Sequence, residues 1–441
     1  MELTNNFMNY LLAKPIENFA VYSNPLSNLA KDWKIVAENP YLFNQEIQYD
    51  FKITDQKSSG RCWLFATLNL VRFIAGQTWC DEMDVKDLEF SQSYLYFWDK
   101  FERYNQYLNY FQDINELEGD NKCHHFTNIC KDPLGDGGQW DMAKEIVDKY
   151  GIVPKYVYPD SYHAKSSAPM NKILTEMLKQ DWVTLSKTVH SERPELIKKQ
   201  MEKVFEILVS FLGKPPTKFN FEFKYKNKTK TWKDITPKEL LEKSGFKPQD
   251  FVSVVHDPRK EHAYNKYYQI QYLGNVKSQH VGWLNLPMER MKELASESIT
   301  KNQPVWFGCD VGATFDRETG VHDPNIFDLK TFMSYENNMS KEERLSTFLS
   351  LPSHAMIIVG YHEDNGNIKR WKIENSWGKT SGTDGFQLMT NDWFNEYVFQ
   401  IIIHKSKLFD SEKELLSTDP LIVPPWDPLG TLAKKIDNLI I

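Results

Sequence analysis

The stretch Asp55-Gln56-Lys57-Ser58-Ser59-Gly60-Arg61-Cys62-Trp63-Leu64-Phe65-Ala66 constrains this chain more than any other. A polar loop with one glycine runs into a cysteine, and the cysteine runs into a helix. Leu64, Leu68, Val71 and Ala75 recur with a 3.6-residue period, which predicts a helix over residues 63–77 with one apolar face. Cys62 then stands at the helix N-terminus. Unpaired N–H groups and the positive end of the helix dipole gather there. Both favour the thiolate, the nucleophilic form of cysteine. Gln56 sits upstream on the loop that folds back over the helix start, where its amide can donate to a developing oxyanion. A cysteine in such a place can also be purely structural, so the choice rests on partners elsewhere in the chain.

Those partners come late. His354 opens the apolar strand His354-Ala355-Met356-Ile357-Ile358-Val359-Gly360-Tyr361, and Asn375 follows in Asn375-Ser376-Trp377-Gly378 at the end of the next strand. A hairpin between the two strands brings imidazole and carboxamide together. Thiol catalysis asks for this set: a nucleophile, a histidine to hold its proton, and a third group to orient the ring. Trp377 is placed to shield the His354–Asn375 bond from water. Gly137 and Gly138, in Asp136-Gly137-Gly138-Gln139-Trp140, mark a tight turn where a substrate backbone can approach closely.

The two halves of the chain differ in character. Up to about residue 165 the periodicity is helical, including an aromatic stripe at Tyr94, Phe97, Phe101, Tyr104, Tyr107 and Phe111 that reads as core. After residue 251 strand-like runs dominate, as in Phe251-Val252-Ser253-Val254-Val255 and Val305-Trp306-Phe307-Gly308-Cys309. Between them lies a Lys/Glu-rich helical block, broken at Gly213-Lys214-Pro215-Pro216, with one alternating run at residues 218–225. The expected fold class is α+β.

Composition narrows the functional classes. A net charge of −7 over 441 residues gives no overall pull toward nucleic acid or anionic membrane, although lysines cluster between Lys214 and Lys233. No apolar run is long enough to span a bilayer. Residues 1–15 lack a basic segment followed by an apolar core, so no secretory leader is expected. Five cysteines, odd in number, do not make a disulfide framework and fit a reducing cytosol. Cys123-His124-His125 with Cys130 has no standard metal spacing, and no metal or cofactor is expected.

Gln56, Cys62-Trp63, His354-Ala355 and Asn375-Ser376-Trp377-Gly378 resemble the papain-type cysteine peptidases. The papain signature C-G-[SA]-C-[WY] reads here Ser59-Gly60-Arg61-Cys62-Trp63, with Ser59 in place of a cysteine that is disulfide-bonded in secreted relatives. His354 and Asn375 follow Cys62 by 292 and 313 residues, against the about 130–150 of the papain pattern. Roughly 150 residues have therefore been inserted relative to that spacing. Lys57 to Trp63, Phe90-Ser91-Gln92-Ser93-Tyr94, Asp136 to Met142, Val305 to Val311, Glu374 to Gly378 and Trp426-Asp427-Pro428 resemble the bleomycin hydrolase and aminopeptidase C branch. The likeness covers nearly the whole chain.

The resemblance implies a papain-like fold with an inserted hook and helical region, peptide substrates, and a homohexameric ring with its active sites facing an internal channel. It divides the chain into residues 1–165 (arm and helical half), 166–250 (insertion), 251–420 (β-rich half) and 421–441 (C-terminal arm). In that branch the arm lies in the cleft and its terminal carboxylate pairs with the substrate's free amine, which makes the enzyme an aminopeptidase. Trp426 to Ala433 matches the family's arm, with Leu429 and Thr431 as substitutions, so Ala433 falls near the substrate's amine. Eight further residues, 434–441, would overfill the cleft, so trimming near Ala433 or Lys434 is expected. Two other functions stay open: an endopeptidase, if the tail leaves the cleft free, and a non-catalytic nucleic-acid-binding ring.

Overall fold

The computed structural model describes residues 20–48, 51–115, 119–277 and 279–433. The trimming site beyond Ala433 lies outside the described residues.

The helix α1, Cys62–Trp79, is the axis of the molecule. It has no single apolar face: nearly every residue on it is buried, including Thr67, Asn69 and Arg72. It runs between the sheet and the other helices, so the one-face expectation gives way to a helix buried all round. Its internal polar groups are therefore paired. Asn69 Nδ2 donates to Glu374 Oε1 at 2.9 Å, and Arg72 Nη2 lies 3.3 Å from the same oxygen. These bonds tie α1 to the chain just before Asn375.

Helix α2, Gln92–Asn115, carries the aromatic stripe inward, with Tyr94, Phe97, Tyr104, Tyr107 and Phe111 all buried. Helix α3, Trp140–Tyr150, follows the Gly137–Gly138 pair and ends at Gly151 (φ +76°), whose N–H caps the Val147 carbonyl at 2.8 Å. The central block supplies α4, Ala168–Lys187, and α5, Arg193–Leu212. Their inner residues Leu174, Leu178, Val204 and Leu208 are fully buried, and Phe205 packs edge-on to Phe97 and Phe101 of α2. The block thus shares its core with the helical half.

The run at 218–225 forms strand β1, Phe219–Tyr225, and has a partner that periodicity did not reveal: β2, Lys228–Ile235. Lys226 and Asn227, both at positive φ, make the two-residue turn. Three lysines and exposed threonines hide the alternation of β2. Its Trp232 packs with Phe221 and Phe223 against Trp79, at the far end of α1. Helix α6, Pro237–Ser244, follows with a capping box from Thr236 and Glu239.

The β-rich half is one mixed sheet. Its strands are β3 (Phe251–Val255), β4 (Lys266–Ile270), β5 (Gly282–Asn285), β6 (Val305–Cys309), β7 (His354–Asp364), β8 (Asn367–Glu374), β9 (Phe386–Thr390), β10 (Val398–His404) and β11 (Leu421–Val423). They lie in the order β11-β4-β5-β3-β10-β6-β7-β8-β9, extended by short strands at 321–322 and 315–316. The centre, β6-β7-β8-β9, is antiparallel throughout. β7, the strand that begins with His354, packs on α1. Among the described residues no helix is long and apolar enough to cross a membrane.

Candidate active site

The cysteine is held by its neighbours on both sides. Gly60 N donates to Asp136 Oδ2 at 3.0 Å, and a Cβ on Gly60 would lie 2.8 Å from the Asp136 Cβ, so only glycine lets the loop pass so close. Arg61 is fully buried and bonds Ser59 Oγ, Ser93 Oγ and Asp160. Trp63 Nε1 donates to the Asp136 carbonyl at 2.8 Å. Asp136 also accepts from Tyr96, Asn171, Ser167 and the buried Lys100. Against the cost of its burial, Lys100 and these donors hold its carboxyl well below the usual carboxylate range. Asp136 is thus the hub that fixes the loop, the helix start and the insertion. It lies within a stretch singled out by its glycines, and nothing in its local pattern marked it.

His354 begins β7 opposite Cys309 of β6, and Asn375 follows the last residue of β8. The hairpin does what the spacing predicts: His354 Nε2 lies 2.9 Å from Asn375 Oδ1. The Trp377 ring stands over the imidazole with centroids 4.9 Å apart. Beside them is Cys62, whose thiolate form the backbone N–H groups of Ala355, Trp63 and Cys62 itself favour. With Nε2 engaged by Asn375, Nδ1 is the imidazole nitrogen left for the thiol.

One expectation is reversed. The helix N-terminus predicts a thiol shifted down, but burial in the cleft pushes Cys62 up to about 11, outweighing the three N–H groups. Burial likewise lowers His354 to about 4, against the bond from Asn375. Each group, titrated alone in a dry cleft, stays neutral.

Gln56 is fixed at both ends of its amide. Its Oε1 accepts from Ser376 Oγ and its Nε2 donates to the Ser59 carbonyl, both at 2.7 Å, while its own N–H donates to the Ser376 carbonyl at 2.8 Å. One Nε2 hydrogen stays available beside the helix start. The glycine pair divides into two roles. A Cβ on Gly138 would run into the Trp63 indole, so Gly138 is a packing glycine. A Cβ on Gly137 meets nothing within 4 Å. Gln139, next in line, donates to the Leu429 carbonyl at 2.7 Å.

That bond brings the C-terminal arm to the glycine segment. β11 adds to the sheet edge beside β4, Asp427 pairs with Arg259 at 2.9 Å, and Leu429 and Leu432 are buried, with Ala433 packed on the same core. Arg259 gave no sequence signal, because its partner lies 168 residues away. His125 packs edge-on to Trp426, while Cys123 is exposed on the helix Gly119–Ile129. Among the described residues no group of three His, Cys, Asp or Glu side chains is arranged to hold a metal.

A cysteine at the start of a buried central helix, with a sheet-borne histidine bonded to an asparagine, is the arrangement of a papain-like cysteine peptidase. The chain belongs to the Peptidase C1-like family, whose model matches residues 1–430. It is 38% identical to aminopeptidase C of Lactococcus lactis subsp. cremoris over 439 residues, 98% of each chain. It is 36% identical to human bleomycin hydrolase over 411 residues, 89% of each. Among solved structures, PepW from Lactobacillus rhamnosis HN001 superimposes with a TM-score of 0.91 at 33% identity, covering 98% of both chains. The resemblance drawn from the motifs is thereby borne out over nearly the full length.

Proposed function

We propose that this chain is a cysteine aminopeptidase that removes N-terminal residues from peptides. The observation that carries the reading is the 2.9 Å His354–Asn375 bond beside a cysteine at a helix N-terminus. Cys62 Sγ attacks the scissile carbonyl carbon while its proton passes to His354 Nδ1. The carbonyl oxygen becomes an oxyanion between the free Gln56 Nε2–H and the Cys62 backbone N–H. Nδ1–H then protonates the leaving amine, and the C–N bond breaks to give a thioester. Water, deprotonated by the same Nδ1, hydrolyses the thioester and restores the thiol. Asn375 holds Nε2–H throughout, and Trp377 keeps water from that bond.

The seated arm supports exopeptidase over endopeptidase action. Arg259–Asp427 and Gln139–Leu429 hold residues 427–429 beside Gln139. The arm then closes one end of the cleft, with the Ala433 region facing the substrate's amine. A homohexamer and a cytosolic setting complete the proposal, both by analogy with the family. Aminoacyl and N-blocked fluorogenic substrates test it on the full chain, on Cys62→Ala and on a chain ending at Ala433. Free-amine substrates should be cut by the full-length protein and blocked ones spared, with Cys62→Ala inert. Equal cleavage of blocked substrates would overturn the aminopeptidase reading in favour of an endopeptidase.

A further inference from the structure

Behind Asn375, on the side away from His354, lies a second histidine. His322 is fully buried on a short strand beside β9, its ring stacked on Phe315 and edge-on to Trp393. Its Nε2 lies 2.9 Å from Gln387 Oε1 of β9. The same Oε1 lies 3.2 Å from Asn375 Nδ2. Gln387 Nε2 is taken up by Ser381 Oγ at 2.7 Å. A continuous chain of hydrogen bonds therefore runs His322–Gln387–Asn375–His354.

We infer that His322 and Gln387 are positioning residues that set the tautomer of the catalytic histidine. Among the described residues His322 Nδ1, which is buried, has no hydrogen-bond partner. A neutral imidazole carries one proton. A proton on Nδ1 would leave a buried N–H donor orphaned, which native structures rarely tolerate. The proton therefore sits on Nε2, where it is donated to Gln387. Burial lowers His322 to about 3, so the ring stays neutral at working pH.

Each later step follows from donor and acceptor identity. An N–H from His322 requires an oxygen at Gln387, which fixes that amide's orientation. The remaining lone pair of Oε1 accepts from Asn375 Nδ2. Asn375 then turns Oδ1 toward His354, where it also accepts from Ser376 N–H at 2.8 Å. Oδ1 demands a proton on His354 Nε2, which leaves Nδ1 as the base for the thiol. Were every amide reversed, Asn375 Nδ2 would face Ser376 N–H, donor against donor, and His354 would carry its proton on Nδ1. In that state it could not accept from Cys62. Ser376 and Gln387 act together on Asn375: the Ser376 N–H needs an oxygen beside it, and Gln387 Oε1 needs an N–H, without which Asn375 Nδ2 would be buried unpaired.

The inference rests on the peptidase reading, so its tests have one arm that needs no activity. Gln387→Met keeps length and burial but removes the acceptor. Misplacing a catalytic group through its support can cost up to about 10²-fold, so kcat should fall about tenfold or more while KM stays within about twofold. Gln387→Glu, which restores an oxygen facing His322 and Asn375, should recover most of the lost kcat. Wild-type kcat in a folded Gln387→Met protein, or no recovery in Gln387→Glu, would overturn the inference. The second arm is nitrogen NMR on histidine-labelled Cys62→Ala protein, where no thiol competes for the ring. Both His322 and His354 should be Nε2–H tautomers. An Nδ1–H tautomer at either overturns the inference, whether or not the substituted proteins fold. A wild-type protein inert on every free-amine peptide would instead overturn the proposed function, and the NMR arm would still decide the tautomers.

Discussion

In the proposed mechanism Cys62 and His354 exchange one proton. Burial pushes the thiol up to about 11 and the imidazole down to about 4. Passing the proton from Sγ to Nδ1 adds no net charge to the cleft, and the helix N-terminus favours the resulting thiolate. The consequence is measurable with iodoacetamide. In the wild type, alkylation of Cys62 should be nearly flat across neutral pH. In His354→Gln the lone buried thiol should react slowly, about tenfold faster per pH unit as pH climbs toward the thiol's raised pKa. Flat profiles in both proteins would show that His354 does not hold the proton. Gln56→Ala removes one oxyanion donor and should lower kcat by ~10²–10³, with Cys62 still alkylated at the wild-type rate. An unchanged kcat would remove Gln56 from the oxyanion site.

At the scale of elements, the glycine turn and α1 form one unit. Gly138 lies against the Trp63 indole, whereas Gly137 faces open space. Gly138→Ala should therefore overpack the helix start and cost about 1–3 kcal/mol of stability, read as a lower denaturant midpoint. Gly137→Ala should leave that midpoint in place and raise KM, if this residue lines the substrate's path. Identical melting of the two variants would erase the distinction. Most elements were legible because their signals are local: the aromatic stripe of α2, the Thr236–Glu239 box of α6, the alternation of β1. The misread elements had their character overridden by what packs on them. α1 is buried on all sides by the sheet and its helical neighbours, and β2 becomes a strand by pairing with β1.

At the scale of the whole molecule, two networks bind distant parts. Arg259 sits between Asp257 and Asp427 and so anchors the C-terminal arm to the β-rich half. Asp427→Ala should loosen the arm and raise the ratio of blocked to free-amine cleavage, with Cys62 alkylation unchanged. A constant ratio would mean that the arm is held without this pair. Among the described residues three histidines are buried in neutral form: His354 at about 4, and His256 and His322 at about 3. Their folded values lie below the 6.5 of the unfolded chain, so the unfolded state binds more protons as pH falls through that window. Stability is therefore full above pH 6.5 and is lost on acidification, by up to about 1.4 kcal/mol per pH unit for each histidine. Urea midpoints measured from pH 7.5 to 5 should fall steadily, and midpoints that rise on acidification would contradict the burial of these rings.

The sequence by itself determined where the reactive groups stand along the chain: a cysteine at a helix start, a histidine at a strand start, an asparagine at the next strand's end. These are products of periodicity and turn chemistry within a few residues. The tertiary structure alone decided their protonation and their support. Desolvation depends on what covers a group, and here it reverses the shift expected for Cys62. The bonds that orient the site join residues far apart in sequence, as with His322 and Gln387, Asn69 and Glu374, or Arg259 and Asp427. Such bonds follow from how the sheet stacks on α1, a property that no local window of sequence contains.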